Sequence, residues 1–138
     1  LSRQAQGEGG VYIANAIKIG IAHMHDPTRE VLVRALTSRL NAEVTGFAYV
    51  EDVLNSSMQY DVFVVYNNFG HKMDGVTGVA KIRARKPQAF IIGVSPTPYL
   101  DRKFLPAGAN AFLLRAGNEI EELVRMIKKH LEAKFVKA

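Results

Sequence analysis

The sequence predicts an α/β fold in which a five-stranded parallel sheet is doubly wound, with helices on both faces. Three observations carry this. Short apolar runs alternate five times with helical stripes between residue 17 and the end of the chain, the pattern of repeated strand–helix units. Two of the runs, VFVVY at 62–66 and AFIIGV at 89–94, are continuous rather than alternating, as in strands covered on both faces. The last segment, 118–135, places Ile120, Leu123, Val124, Ile127, Leu131 and Phe135 at helical spacing. Its acids Glu119, Glu121 and Glu122 come early and Lys128, Lys129 and His130 late, matching the helix dipole.

The elements follow in order. IKIGIA at 17–22 reads as a first strand, and 27–40 as a helix with Leu32, Ala35, Leu36 and Leu40 on one face. Pro27 suits its first turn. AEVTGFAYV at 42–50 is β-rich, 51–58 is a short helix and YDVFVVYN at 60–67 is the most apolar strand, with Val62, Phe63 and Val64 in the core. A helix at 75–86, weakened by Gly78, leads to a strand at 88–94, a short helix at 98–107, a strand at 110–115 and the helix at 118–135. Residues 1–16 read as a linker, an N-terminal extension or the cut end of a longer chain, with VYIANA at 11–16 as a possible extra element. Residues 17–138 then form one domain, long enough to bury a substantial core.

Composition narrows the function. Apolar residues make up 48% and charged residues 22%, as in ordinary globular proteins. The longest apolar runs fall far short of the roughly 20 residues that span a bilayer, so no membrane helix is expected. The chain has no cysteine, which removes disulfides, thiol catalysis and thiolate metal sites and is compatible with a reducing cytoplasm, the address expected here. The net charge of +5 raises the question of nucleic acid. The basic residues are nevertheless scattered, and the densest groups, KIRARK at 81–86 and KKHLEAKFVK at 128–137, fall at expected solvated helix ends. Nucleic acid is therefore expected only through an attached domain.

Ligands of such sheets sit outside the carboxyl ends of the strands. The ends are AHMHD, YNNFGHK, VSPTP and LRAGN. No dinucleotide fingerprint follows the first strand, and no Ser–His–Asp arrangement can be assembled from spacing. His23, His25, Asp26 and His71 could gather there around a metal ion, or sense pH; their spacing matches no metal motif, and they are read as solvent-exposed loop residues. Asn67 and Asn68 either shape a loop with Gly70 or hold a fixed conformation.

Over residues 17–133 the chain resembles the receiver domain of response regulators in two-component signalling. The resemblance rests on NNFGHKMDG at 67–75, IIGVS at 91–95 and AGANAFLLR at 107–115 followed by the amphipathic last helix. It implies a flavodoxin-like sheet of order 2-1-3-4-5, which right-handed crossovers also favour. In receivers two acids after the first strand and an aspartate ending the third hold a divalent ion. That aspartate takes up the phosphoryl group, which a Ser or Thr and a Lys then bind. Mg²⁺ requires oxygen ligands and the nucleophile is a carboxylate.

Counting back from Met73-Asp74-Gly75 puts Asn67 at the acceptor position, and counting forward from Asp61 puts Tyr66 there. The acidic pair falls on His23 and Met24, or on Met24 and His25, with Asp26 beside them. Ser95 matches the Ser/Thr, Phe112 the switch aromatic and Arg115 the Lys, whose compact ammonium its planar fork does not reproduce. Ala116 leaves the family's cis-peptide turn without its proline. The resemblance thus implies a pseudo-receiver: no catalytic residue, no cofactor and no metal, with a protein partner or self-association through the last helices and strand. Arg102, Lys103, Arg125 and Lys129 are the charged residues expected there with Phe112. The alternative is a ligand sensor using the vacated pocket for a small molecule or an ion. The segment HMHDPTREVLVRAL also resembles cobalamin-binding domains, without the glycine that follows their histidine, which makes that ligand the least expected.

Overall fold

The computed structural model describes residues 17–67 and 73–136, with side chains through Ala133. Ten elements alternate along it: β1 (Lys18–Ala22), α1 (Asp26–Leu40), β2 (Glu43–Phe47), α2 (Val50–Leu54), β3 (Val62–Tyr66), α3 (Gly75–Arg85), β4 (Phe90–Ser95), α4 (Asp101–Ala107), β5 (Ala111–Leu114) and α5 (Glu119–Val136). All strand pairs are parallel, and the sheet order is β2-β1-β3-β4-β5. This is the predicted sheet. The possible element at 11–16 lies outside the described residues.

Side-chain alternation along the strands builds two cores. Ile19, Ile21, Val62, Val64, Ile92 and Val94 pack against Leu32 and Leu36 of α1 and Leu123 and Ile127 of α5. On the opposite face Phe63, Val65 and Ile91 meet Val50 and Val53 of α2, Val79 and Ile82 of α3 and Phe104 of α4. All five residues of β3 are buried, so its continuous apolar run reflects cover on both faces.

Two glycines set how closely the second layer sits. A Cβ on Gly78 would come within 2.3 Å of Val50 Cγ2, and one on Gly93 within 2.3 Å of Phe104 Cδ1. Gly78 therefore lets α2 and α3 touch, which corrects its reading as a mere weakness in the helix. The second β-strand also ends sooner than predicted: Val50, placed in it by sequence, opens α2 and is fully buried there.

The reading of KIRARK as solvated helix end is likewise corrected in part. Arg83 donates to the carbonyls of Lys86 (3.1 Å), Pro87 (2.9 Å), Ala89 (2.9 Å) and Gly108 (3.0 Å) and to Asn110 Oδ1 (2.7 Å). One guanidinium so satisfies the carbonyls of the turn after α3 and ties that turn to the start of β5. Arg85 donates to Leu54 O at 2.6 Å, bracing α3 on α2. Across the other layer Arg39 of α1 and Glu121 of α5 form a two-pronged ion pair at 3.0 and 2.9 Å.

Among the described residues no helix is long and apolar enough to cross a membrane.

Candidate functional site

At the carboxyl edge of the sheet the strand ladders run on by one residue. His23 N–H donates to Phe47 O at 2.9 Å, Asn67 N–H to Val94 O at 3.1 Å and Arg115 N–H to Ser95 O at 2.9 Å. These bonds fix the backbone of His23, Asn67 and Arg115 in line with β1, β3 and β5, so their side chains, with Tyr66 and Ser95, are placed by the sheet rather than by the loops.

Tyr66, last residue of β3, points into the layer shared with α1 and α5. Its ring centroid lies 4.3 Å from that of His23, and its hydroxyl donates to Glu119 Oε2 at 2.5 Å. The other carboxylate oxygen of Glu119 accepts from Arg115 Nε at 2.8 Å. Burial, and then the Glu119 carboxylate, hold the Tyr66 phenol far above its ordinary range, so it remains protonated and donates.

His23 is 6% exposed, which corrects its reading as a solvated loop histidine. Its Nδ1 accepts the backbone N–H of His25 at 3.1 Å, so a neutral ring carries its proton on Nε2. That Nε2 is buried and has no hydrogen-bond partner among the described residues. Burial first, then the positive Arg115, lower the His23 pKa to about 4. The ring is therefore neutral at physiological pH, beside the Arg115–Glu119 ion pair.

The remaining first-strand positions turn away. Met24 is 48% exposed. His25 is the N-cap of α1: its Nδ1 accepts from Thr28 N–H at 3.3 Å and lies 2.6 Å from Thr28 Oγ1. Asp26, in the first turn of α1, pairs with Arg29 at 2.6 Å, and Arg29 also donates to His23 O at 2.8 Å. Asn67 spends its Oδ1 on Gly75 N–H at 2.9 Å, holding the start of α3. Ser95 is fully buried and its Oγ accepts from Thr97 N–H at 3.1 Å. His71 and Asn68 lie outside the described residues. Among the described residues no three His, Asp or Glu side chains are placed to hold a metal ion.

Sequence reasoning missed Glu119, which it assigned to the helix dipole alone. Its signal was the i,i+4 spacing from Arg115, across the junction of strand and helix. The edge formed by α4, β5 and α5 carries the residues predicted for contacts. Phe112 is half-buried, 5.6 Å from Phe104 between ring centroids. Arg102 and Lys103 are exposed, with the Arg102 guanidinium 5.0 Å from the Tyr99 ring centroid. Arg125 is already paired with Glu122, at 2.5 Å, and Lys129 is exposed. Leu105 and Leu114, 44% and 43% exposed, add apolar surface to this edge. The peptide bonds of the described residues are all trans, that at Ala116 included.

No protein-family model and no curated protein sequence matches the chain. Solved structures do. The beryllofluoride-activated receiver domain of DrrB is 21% identical, with a TM-score of 0.76 over 86% of this chain and 99% of that one. The response regulator DrrB of Thermotoga maritima, an OmpR/PhoB homologue, is 21% identical with a TM-score of 0.77; the match covers 87% of this chain and 54% of that longer one. A CheY-like receiver domain protein from Methanospirillum hungatei is 18% identical, with a TM-score of 0.78 over 90% of this chain and all of that one. At these identities the likeness establishes the fold, which is that of response-regulator receiver domains.

Proposed function

We propose that the chain is a regulatory receiver-fold domain that takes no phosphoryl group and acts by binding a protein partner, or a second copy of itself, through the edge formed by α4, β5 and α5. The observation that carries this is the occupancy of the strand ends. Where the resemblance calls for an acidic pair and a carboxylate nucleophile stand His23, Met24 and His25, and Tyr66 and Asn67. The acid that does reach the cluster, Glu119, has one oxygen on Tyr66 and the other on Arg115.

Each candidate nucleophile is a poor one. A protonated phenol donating to a carboxylate has no free electron pair of useful basicity, and a carboxamide carries no charge to draw in Mg²⁺. The segment NNFGHK at 67–72 supplies no acid either. No residue is therefore assigned a catalytic role, and a cytoplasmic setting with an attached output domain remains the setting this reading implies.

The interaction half of the proposal is supported by Leu105, exposed on α4 with Arg102 and Lys103, and by Leu114, exposed on β5. Its test is sedimentation and pull-down of charge-reversed variants. Arg102→Glu with Lys103→Glu is expected to weaken association by about tenfold or more with circular dichroism unchanged. Arg125→Glu is expected to do less, because Arg125 already serves Glu122 within α5. Silent reversals, with changes at His23 or Ser95 abolishing activity, would instead favour a ligand sensor. The buried Nε2 of His23, without a hydrogen-bond partner among the described residues, is the observation on that side.

A further inference from the structure

The sheet's other end, where the strands begin, carries a second feature that the strand-end cluster does not touch. A cavity of about 290 Å³ opens there, lined by Tyr60, Asp61, Arg85, Lys86, Gln88 and His130 among others. It lies against the residues that lead into β3 and β4 and the last turn of α3, with α5 alongside. Its size is near the lower end of pockets that hold small molecules.

The chemistry of the wall is rich in donors. Arg85 and Lys86 form no ion pair with any described acid. The Arg85 guanidinium is held by its bond to Leu54 O at 2.6 Å, which fixes the fork while leaving most of its N–H groups unspent. Asp61 is the one carboxylate in the wall, and its Oδ2 already accepts the backbone N–H of Lys18 at 2.9 Å. His130 stacks on Phe90 with centroids 4.2 Å apart and planes inclined by 6°, giving the cavity a flat side.

Position argues against an anion here, because helix C-termini present carbonyl oxygens and a partial negative charge. Arg83 answers part of that objection, at the turn that follows the helix. Its fork lies on the carbonyls of Lys86, Pro87 and Ala89, the residues of the turn bordering the cavity. Arg85 and Lys86, without an ion-pair partner among the described residues, outnumber the Asp61 carboxylate in the wall, and an arginine fork suits a phosphate oxygen pair.

We propose that this cavity binds a small phosphorylated molecule, its phosphate taken by Arg85 and Lys86 and its body lying along the His130 side. The site is independent of the strand-end cluster, so it can fail or succeed without bearing on the receiver-fold proposal. The test is isothermal titration and thermal melting of the chain with inorganic pyrophosphate and with adenosine monophosphate, against sodium chloride at matched ionic strength. Saturable binding is expected with both probes and not with chloride. Lys86→Gln is expected to weaken it about tenfold, and Arg85→Lys, which keeps the charge and loses the fork, by a similar factor.

The double change Arg85→Gln with Lys86→Gln should abolish binding. If it does not fold, the two single variants decide. Absence of saturable binding to either probe overturns the proposal, as does binding that the single variants leave unchanged. Binding only to vesicles containing phosphatidic acid, with no response to the free probes, overturns it too, since a headgroup on a surface would then be the ligand.

Discussion

The hydroxyl of Tyr66 donates to Glu119 Oε2 at 2.5 Å, joining the end of β3 to the first turn of α5. The bond reaches a charged acceptor in a half-buried place, where such bonds are worth more than neutral ones. Tyr66→Phe removes the donor and leaves the carboxylate with Arg115 alone. A loss of about 1–2 kcal/mol in denaturant unfolding is expected. A double-mutant cycle with Glu119→Gln should show coupling of at least about 0.5 kcal/mol. Additive effects would mean that the contact contributes nothing specific.

The packing of α2 on α3 gives a second expectation. By helix propensity alone, Gly78→Ala should stabilise α3 by about 1 kcal/mol. The new methyl group would stand within 2.3 Å of Val50 Cγ2, and overpacking of that order costs about 1–3 kcal/mol. Net destabilisation is expected, relieved when Val50→Ala is added. A more stable Gly78→Ala protein would show that the two helices part without cost.

His23 makes stability depend on pH. Its folded pKa of about 4 lies below the ordinary 6.5, so the unfolded chain takes up the proton first. Stability is then full above about pH 6.5 and falls as the pH drops toward 4, where the loss reaches about 3 kcal/mol. Arg115, His25 and Arg29 reinforce the shift and Glu119 opposes it. His23→Asn, which keeps an acceptor near Nδ1, should flatten this limb of the unfolding profile. An unchanged slope, or an imidazole titration by NMR centred near 6.5, would contradict the buried neutral ring.

Much of the fold was legible because burial on both faces writes itself into composition. VFVVY and FIIGV cannot be partly solvated strands, and the α5 stripe has one apolar face. Boundaries were less legible: Val50 is as apolar as a strand residue, and its place at the start of α2 depends on Gly78 across the interface. The site was half legible. Loss of the carboxylates could be read directly from AHMHD and YNNFGHK. The burial of His23 could not, because it results from the Tyr66 ring arriving from 43 residues away in sequence, as 66 minus 23 gives. Glu119 and Arg83 were misjudged for the same reason: a charge at a helix end looks solvated until the chain brings its partners to it.

The most direct test of a receiver fold without phosphoryl chemistry is intact-mass spectrometry after incubation with acetyl phosphate and millimolar Mg²⁺. The unaltered chain, Asn67→Asp and Tyr66→Asp are all expected to keep their unmodified masses, because restoring one carboxylate leaves the first-strand acids missing and Mg²⁺ unbound. A Mg²⁺-dependent gain of one phosphoryl group by the unaltered chain would contradict the account outright. The same gain by a single-site variant would show that its metal site had survived after all.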